Sequence, residues 1–285
     1  MIPSITLDND FYPALLREIH DPPPLLYVRG NMEILRTDCF AVVGTRAFTD
    51  YGKRSALELS SALSRAGFTI VSGLALGIDS FAHRAALELK KPTIAVVAGG
   101  LSDHRIYPPQ NAKLFNEIIE SGGAVISEHE PDARAQIFTF PVRNRIISGM
   151  SKGVLVVEGD IKSGTMITAK SALDQGRDVF AVPGSIYSKK SDGTNYLIQK
   201  GAKLVMKAQD ILEDFDMFLE SEMEITGDNP EEKKILSVLL EEPLSPDEII
   251  RRSKLEASVA TATLMIMELN KKVRNLGNGK FVVYS

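Results

Sequence analysis

Short apolar runs recur along the first two thirds of the chain, at residues 39–44, 68–71, 93–98, 124–127, 153–158, 178–182 and 203–206. Most are rich in valine and isoleucine and lack the alternation of a half-exposed strand, so they read as strands buried on both faces. Between them lie stretches with apolar positions three and four apart. The clearest is Ile78, Phe81, Ala82, Ala85 and Leu89, one face of a helix. Thr49 is placed to cap an earlier helix and Gly67 to stop it. Further helices are expected over about 109–121, 166–175 and 194–200. Strands alternating with helices predict an α/β fold: a doubly wound, mostly parallel, Rossmann-like sheet.

The two ends of the chain break this rhythm. Pro22, Pro23 and Pro24 exclude a helix at that point. The expectation for residues 1–37 is a short helix near 11–19, then an extended arm or extra strand, packed on the sheet domain of 38–218. Residues 219–230 turn polar and acidic and read as a linker. Residues 231–285 hold three helical stretches, 231–242, one opened by Ser245-Pro246-Asp247-Glu248, and 257–271. That second start has a cap serine, proline at the first position and glutamate three after the cap. Val273–Leu276 and Phe281–Tyr284 flank Gly277-Asn278-Gly279, a hairpin turn. Three helices and a hairpin predict a small winged-helix domain.

Candidate chemistry gathers at the strand ends. After the strand at 68–71 comes Ser72-Gly73-Leu74-Ala75-Leu76-Gly77, then a helix. A helix start exposes amides and a positive dipole end, which favour an anion such as phosphate. The spacing G-x-x-x-G is neither a dinucleotide fingerprint nor a P-loop. Alone it fits a plain tight connection better than a phosphate cradle. In the helix, Asp79 and His83 share a face. Asp79 suits the dipole as a structural anion; the other reading makes His83 a phosphate or base contact. Gly99-Gly100 is another glycine turn. Gly159 to Thr165 spells G-x-x-x-x-G-T, which lacks the Walker lysine, so ATP hydrolysis is not supported. Ser163, Gly164 and Thr165 still make a helix-start anion site, with Lys162 and Lys170 nearby. Glu128-His129-Glu130 lacks a partner at ligand spacing, so no metal is expected. Arg134, Arg143, Arg145 and Lys152 lie near Phe138 and Phe140, guanidinium with rings, as single-stranded nucleic acid requires. Lys189 and Lys190 share a loop with Tyr187.

The totals qualify this. The 285 residues suffice for one large core, or for a large domain plus a small one. The formal net charge is −4, so any nucleic-acid binding needs cations concentrated in a groove. The single cysteine, Cys39, excludes an internal disulfide framework. No apolar run approaches a membrane helix and no signal segment follows Met1, so a cytoplasmic protein is the simplest expectation.

Six segments in one order carry a resemblance: VGTR at 43–46, SGLALGID at 72–79, YPPQN at 107–111, FPVRNRIISGMS at 140–151, VVEGDIKSGTMITA at 156–169 and AVPGSIYSKKSDGTNYLIQKGA at 181–202. Together with AGGL at 98–101, they resemble the DNA processing protein A family, also called DprA or Smf, from about residue 11 to the end. Many members carry a small helical domain ahead of this point; none is expected here. The resemblance implies a non-catalytic protein that binds and protects single-stranded DNA and helps load the RecA recombinase in natural transformation and repair. It also implies a homodimer through the sheet domain, and no cofactor.

The residues carried over by motif are Gly44 and Arg46 of G-x-R, Ser72, Gly73, Leu74, Ala75 and Gly77 of S-G-L-A-x-G, Arg143, Asn144 and Arg145 of R-N-R, and Ser163, Gly164 and Thr165 of S-G-T. Local reading adds Thr45, His83, Gly99, Gly100 and Lys170 as DNA or phosphate contacts. The competing expectation is a nucleoside-monophosphate hydrolase with Glu158 as its acid, since the fold alone admits one. It lacks a second well-placed acid, an activated nucleophile and a metal set. A bare protein-interaction module is a third possibility. In the winged domain, 229–285 holds nine cations and eight anions, and the 257–271 helix has none of its cations in its middle. Duplex affinity depends on counterion release, so this domain is expected to bind protein or a second copy more than DNA.

Overall fold

Thr49 does open the first long helix: its side chain accepts a hydrogen bond from the Gly52 amide at 3.1 Å. Gly67, at φ +104°, ends the connection to the next strand. The computed structural model describes residues 2–217, 227–240, 242–270, 272–276 and 279–283. The chain divides into two units, Met1–Leu219 and Glu220–Ser285.

In the first unit the elements follow as β1 (Ser4–Thr6), α1 (Ala14–Arg17), β2 (Leu25–Gly30), β3 (Cys39–Val43), α2 (Asp50–Arg65), β4 (Thr69–Ser72), α3 (Ile78–Glu88), β5 (Thr93–Val96) and α4 (Ala112–Glu120). Then come β6 (Ala124–Ser127), α5 (Thr139–Gly149), β7 (Gly153–Val156), α6 (Gly164–Asp174), β8 (Asp178–Ala181), α7 (Asp192–Gln199), β9 (Lys203–Leu204) and α8 (Gln209–Leu212). Among the described residues, nine strands form one sheet in the order β1-β2-β6-β5-β4-β3-β7-β8-β9. The pairs from β6 to β9 are parallel. The expected arm becomes β2, which pairs antiparallel with β6, and β1 adds to its free edge.

Both faces are covered, as continuous apolar strands require. Phe40, Val42 and Ile70 pack under α2 and α3 on one face. Ala41, Val43 and Val71 pack with α1, α5 and α6 on the other. Leu74, Leu114, Phe115 and Ile118 extend the first face beneath α4. The chain leaves β3 toward β6, then returns to place β7 on the other side of β3. That reversal opens a crevice beyond the carboxyl ends of β3 and β7, where such sheets hold ligands.

Sequence patterning predicts no helix at 139–149. Helix α5 buries polar and apolar residues alike, Arg143, Asn144 and Ser148 beside Ile146 and Ile147, so it has little amphipathic signature. Its Gly149 lets it approach α1: an added Cβ would meet Leu16 at 2.8 Å.

The second unit comprises α9 (Pro230–Leu239), α10 (Pro246–Ser253), α11 (Ala257–Leu269), β10 (Val273–Asn275) and β11 (Phe281–Val283). The capping box forms: the Ser245 amide donates to Glu248 Oε2 at 2.9 Å, and the Glu248 amide to Ser245 Oγ at 3.4 Å. Ile235, Leu239, Leu264, Met267 and Phe281 make its core. Lys272 joins Asp228 and Glu232 at 2.7 and 2.6 Å. The expected linker at 219–226, the helix ends at Glu241 and Lys271, and the turn residues Gly277 and Asn278 lie outside the described residues, as does Tyr284.

Candidate nucleic-acid interface

Because β3, β4, β5, β7 and β8 are parallel, the segments that follow them share one rim of the sheet. Two cavities open there. The larger, about 340 Å³, lies over β3 and β7 at the point where the strand order reverses. Gly44, Thr45 and Arg46 form one wall, and Ser163, Gly164 and Thr165 at the start of α6 form the other. The smaller, about 200 Å³, is lined by Gly73, Leu76, Tyr107, Pro108 and Ala135. Arg46, Ala75 and Phe140 border both. The Arg46 guanidinium lies over the Phe140 ring, 5.1 Å from its centroid, and Tyr107 packs 5.7 Å from the same ring. A guanidinium on an aromatic face therefore lies between a chamber that holds Asp79, Arg143 and Asn144 and one flanked by rings.

The glycine turn after β4 is filled by the protein itself. The Gly73 amide donates to Asp79 Oδ2 at 3.1 Å, and the amides of Gly44 and Ala75 face the same carboxylate. Burial raises the Asp79 pKa; Arg143 and these amides oppose the rise. Arg143 Nη1 donates to the carbonyls of Gly73, at 2.7 Å, and Val96. Burial, helped by nearby Arg46 and opposed by Asp79, lowers the Arg143 guanidinium to about 10, so it stays cationic at neutral pH. Arg143 forms the chamber floor as a buried cation whose donors are partly engaged.

Packing explains the glycines in these turns. An added Cβ at Gly44 would lie 2.5 Å from Ile78, and at Gly73 2.6 Å from the Arg143 guanidinium. Gly77, at φ +84°, brings α3 against the carbonyls of Thr45 and Arg46. Leu74 is buried and adopts φ 55°. Asn111 holds it by donating to its carbonyl at 2.8 Å. Ser72 is buried and donates to the Val42 carbonyl at 2.6 Å.

Helix α6 is different. The Met166 amide donates to the Ser163 carbonyl at 3.1 Å, and the Ser163 side chain caps neither of the two amides before it, Gly164 and Thr165. An added Cβ at Gly164 would meet nothing within 4 Å. Asn144 Nδ2 donates to the Gly164 carbonyl at 3.3 Å and fixes α6 against α5. Here the dipole and free amides face the cavity directly.

Several expected contacts lie elsewhere. His83 is fully buried, its Nδ1 2.9 Å from Thr93 Oγ1, so it is no surface contact for phosphate or base. Thr93 gives its own proton to the Ile70 carbonyl, so the imidazole is the Nδ1–H tautomer. The Gly100 amide donates to the Ala133 carbonyl at 2.8 Å, and the 130–135 segment crowds both Gly99 and Gly100. That turn is closed to a ligand. Arg145 points away from Arg143. It pairs with Glu128 at 2.6 Å and Asp21 at 3.3 Å, beside the N-terminal arm. Lys170 is exposed on α6 but does not line the chamber.

Phe138 is 66% exposed and Phe140 half-buried, so neither ring belongs to the core. Glu158 accepts from the Thr49 amide at 2.9 Å and hydroxyl at 2.7 Å. It is the anion at the start of α2, absent from the lining of the chamber. Among the described residues no cluster of His, Cys, Asp and Glu could hold a metal, and no helix is long and apolar enough to cross a membrane.

The first unit matches the profile of the DNA recombination-mediator protein A family over residues 3–216, and residues 220–279 match the DprA winged helix domain. DNA processing protein DprA of Bacillus subtilis is 45% identical over 214 residues, 75% of this chain and 71% of that one. Protein Smf of Escherichia coli is 45% identical over 215 residues, 75% of this chain and 57% of that one. The X-ray structure of DprA from Streptococcus pneumoniae superposes with a TM-score of 0.70 at 45% identity, covering 75% of this chain and 74% of that one. A Helicobacter pylori DNA processing protein A structure, described for its single-stranded DNA binding mode, gives 0.67 at 34% identity over 75% of this chain and 96% of that one.

Proposed function

The chain belongs to the DNA recombination-mediator protein A family, and from that premise we propose that it binds single-stranded DNA along the carboxyl rim of its sheet, without catalysis. The observation that carries this reading is the Arg46–Phe140 pair between the two cavities. A backbone phosphate at the start of α6 meets free amides, the helix dipole and the Arg46 charge, above the buried Arg143 cation. A base in the smaller cavity meets Tyr107 and Phe140, whose faces accept any base. Phosphate and stacking contacts are available to any base, so the binding we propose is sequence-tolerant.

A non-catalytic role is supported by the engagement of the candidate acid. Glu158 holds Thr49 at the start of α2 and is 3% exposed. A single strand held along the rim is shielded from nucleases and available to a recombinase. Protection of DNA and RecA loading in transformation or repair are the cellular roles we assign to it, in the cytoplasm. A homodimer through the sheet domain is part of the same proposal: Leu204 in edge strand β9 and Met206 just after it, 40% and 77% exposed, supply apolar surface for it.

The test is fluorescence anisotropy of the full chain with labelled oligo-thymidylate and with a duplex of equal length. Tighter binding of the single strand supports the reading. Absence of single-strand binding at low salt overturns it.

A further inference from the structure

One segment of the rim takes no part in either cavity. Residues 184–191 follow β8 and display Ile186 and Tyr187, 78% and 92% exposed, beside exposed Lys189. The loop is nonetheless held. Asn195 brackets its base: Oδ1 accepts from the Gly184 amide at 3.2 Å, and Nδ2 donates to the Gly184 carbonyl at 3.1 Å. The Tyr187 amide donates to Ser185 Oγ at 3.2 Å, and the Ser191 amide to the Ser188 carbonyl at 2.9 Å. A Cβ at Gly184 would lie 2.1 Å from Ser191 Oγ, so glycine lets the loop close on itself.

Single exposed apolar side chains are ordinary on a protein surface. Two in a row on a braced turn, with an exposed lysine two residues on, are a different arrangement. A tyrosine shown on a fixed backbone offers a stacking face at low entropic cost.

The loop is continuous with the site. The Gly159 amide donates to the Lys190 carbonyl at 2.7 Å, and the Gly193 amide to the Gly159 carbonyl at 2.9 Å, which docks the loop on the turn leading into α6. Lys190 Nζ donates to the carbonyl of Ala47, a residue of the larger cavity's wall. Lys162, exposed on that turn, adds a cation, and its amide donates to Asp160 Oδ1 at 2.8 Å.

We propose that this loop is a second contact segment for the same single strand, with Tyr187 stacking on a base and Lys189 meeting a phosphate. The proposal rests on the reading of the rim as a single-strand site and lengthens it. The strand passes from Tyr107 and Phe140, across Arg46 and the start of α6, to Tyr187. From β5 to β8 is four strand spacings, about 19 Å, room for several nucleotides.

The experiment compares the full chain with Tyr187→Ala, Tyr187→Phe, Lys189→Ala and Arg46→Ala. The probes are oligo-thymidylates of about 4 and about 15 nucleotides. Expected: Tyr187→Ala and Lys189→Ala bind the short probe as the parent does and the long one about 5- to 100-fold more weakly. Tyr187→Phe keeps the parent's affinity for both, and Lys189→Ala flattens the long probe's log-log salt slope by about 0.7. Arg46→Ala loses affinity for both. Unchanged affinity of Tyr187→Ala and Lys189→Ala at both lengths, with Arg46→Ala impaired, overturns the proposal, leaves the rim reading standing and assigns the loop to a protein partner. Equal loss on both probes by Tyr187→Ala also overturns it, by placing Tyr187 in the primary site. Absence of binding by the parent chain overturns the proposal together with the rim reading.

Discussion

Asp79 and Arg143 meet through one residue: the Gly73 amide donates to the Asp79 carboxylate at 3.1 Å, and the Gly73 carbonyl accepts from Arg143 at 2.7 Å. The turn after β4 thus holds an anion of its own, and Arg143 balances that anion. Asp79→Ala leaves Arg143 buried without its counter-charge, a loss of about 3–5 kcal/mol in stability. Urea unfolding checks this. A change below about 1 kcal/mol would mean the pair is not coupled as the geometry indicates.

Arg46 stands exposed between the cavities, held by a ring rather than by a carboxylate. Arg46→Ala should weaken binding to single strands of any sequence by about 1–3 kcal/mol and make the salt dependence shallower by about 0.7. Unaltered affinity for oligo-thymidylate removes Arg46 from the site.

Glycines on the rim divide into two kinds, and substitution separates them. Gly164→Val adds bulk where nothing lies within 4 Å, so the fold holds while DNA affinity falls as the α6 amides are screened. Gly44→Val drives a side chain into Ile78, already 2.5 Å from an added Cβ, and lowers stability by about 1–3 kcal/mol. Thermal unfolding and anisotropy on both variants show whether affinity and stability separate in this way.

His83 makes the sheet domain sensitive to acid. Burial, with Arg143 adding to it, depresses its pKa from 6.5 to about 3. A histidine depressed in the folded state contributes stability above its unfolded pKa and loses it as pH falls through the folded one. Between pH 6.5 and about 3 the chain should therefore lose stability progressively, about 5 kcal/mol from this group. His83→Gln removes that component, so its loss of stability with acid is shallower. Parallel pH profiles for parent and variant would contradict the assignment.

The winged unit exposes Val259, Met265, Ile266 and Leu269 on α11, a helix without lysine or arginine. With so little charge to offer phosphates, removal of residues 228–285 should change single-strand affinity less than about threefold. A collapse of affinity would assign DNA contacts to this unit.

The sheet was legible because its strands are buried on both faces: CFAVV, TIVS and GVLV carry no polar alternation to confuse. Helix α5 was not, since it meets neighbours on several sides and buries Arg143 and Asn144 where a sequence suggests exposure. The rim's glycines could be seen, but spacing does not tell whether a glycine makes room for a ligand or for Ile78, Arg143 or Pro131. Arg143 and Arg145 look equivalent in R-N-R; helical geometry sends one to the chamber floor and the other to Glu128 and Asp21. The stacking of Arg46 on Phe140 joins residues 94 positions apart and had no local signal.

The central claim is that one rim grips a flexible polyanion through a handful of phosphates and ring faces. Competition between single-stranded and duplex oligonucleotides of equal length, titrated with salt, tests it most directly. For about 5 phosphate contacts the single strand should win at every salt concentration, with a log-log slope near −3.5. A duplex that competes as well as the single strand, or an affinity indifferent to salt, would contradict it.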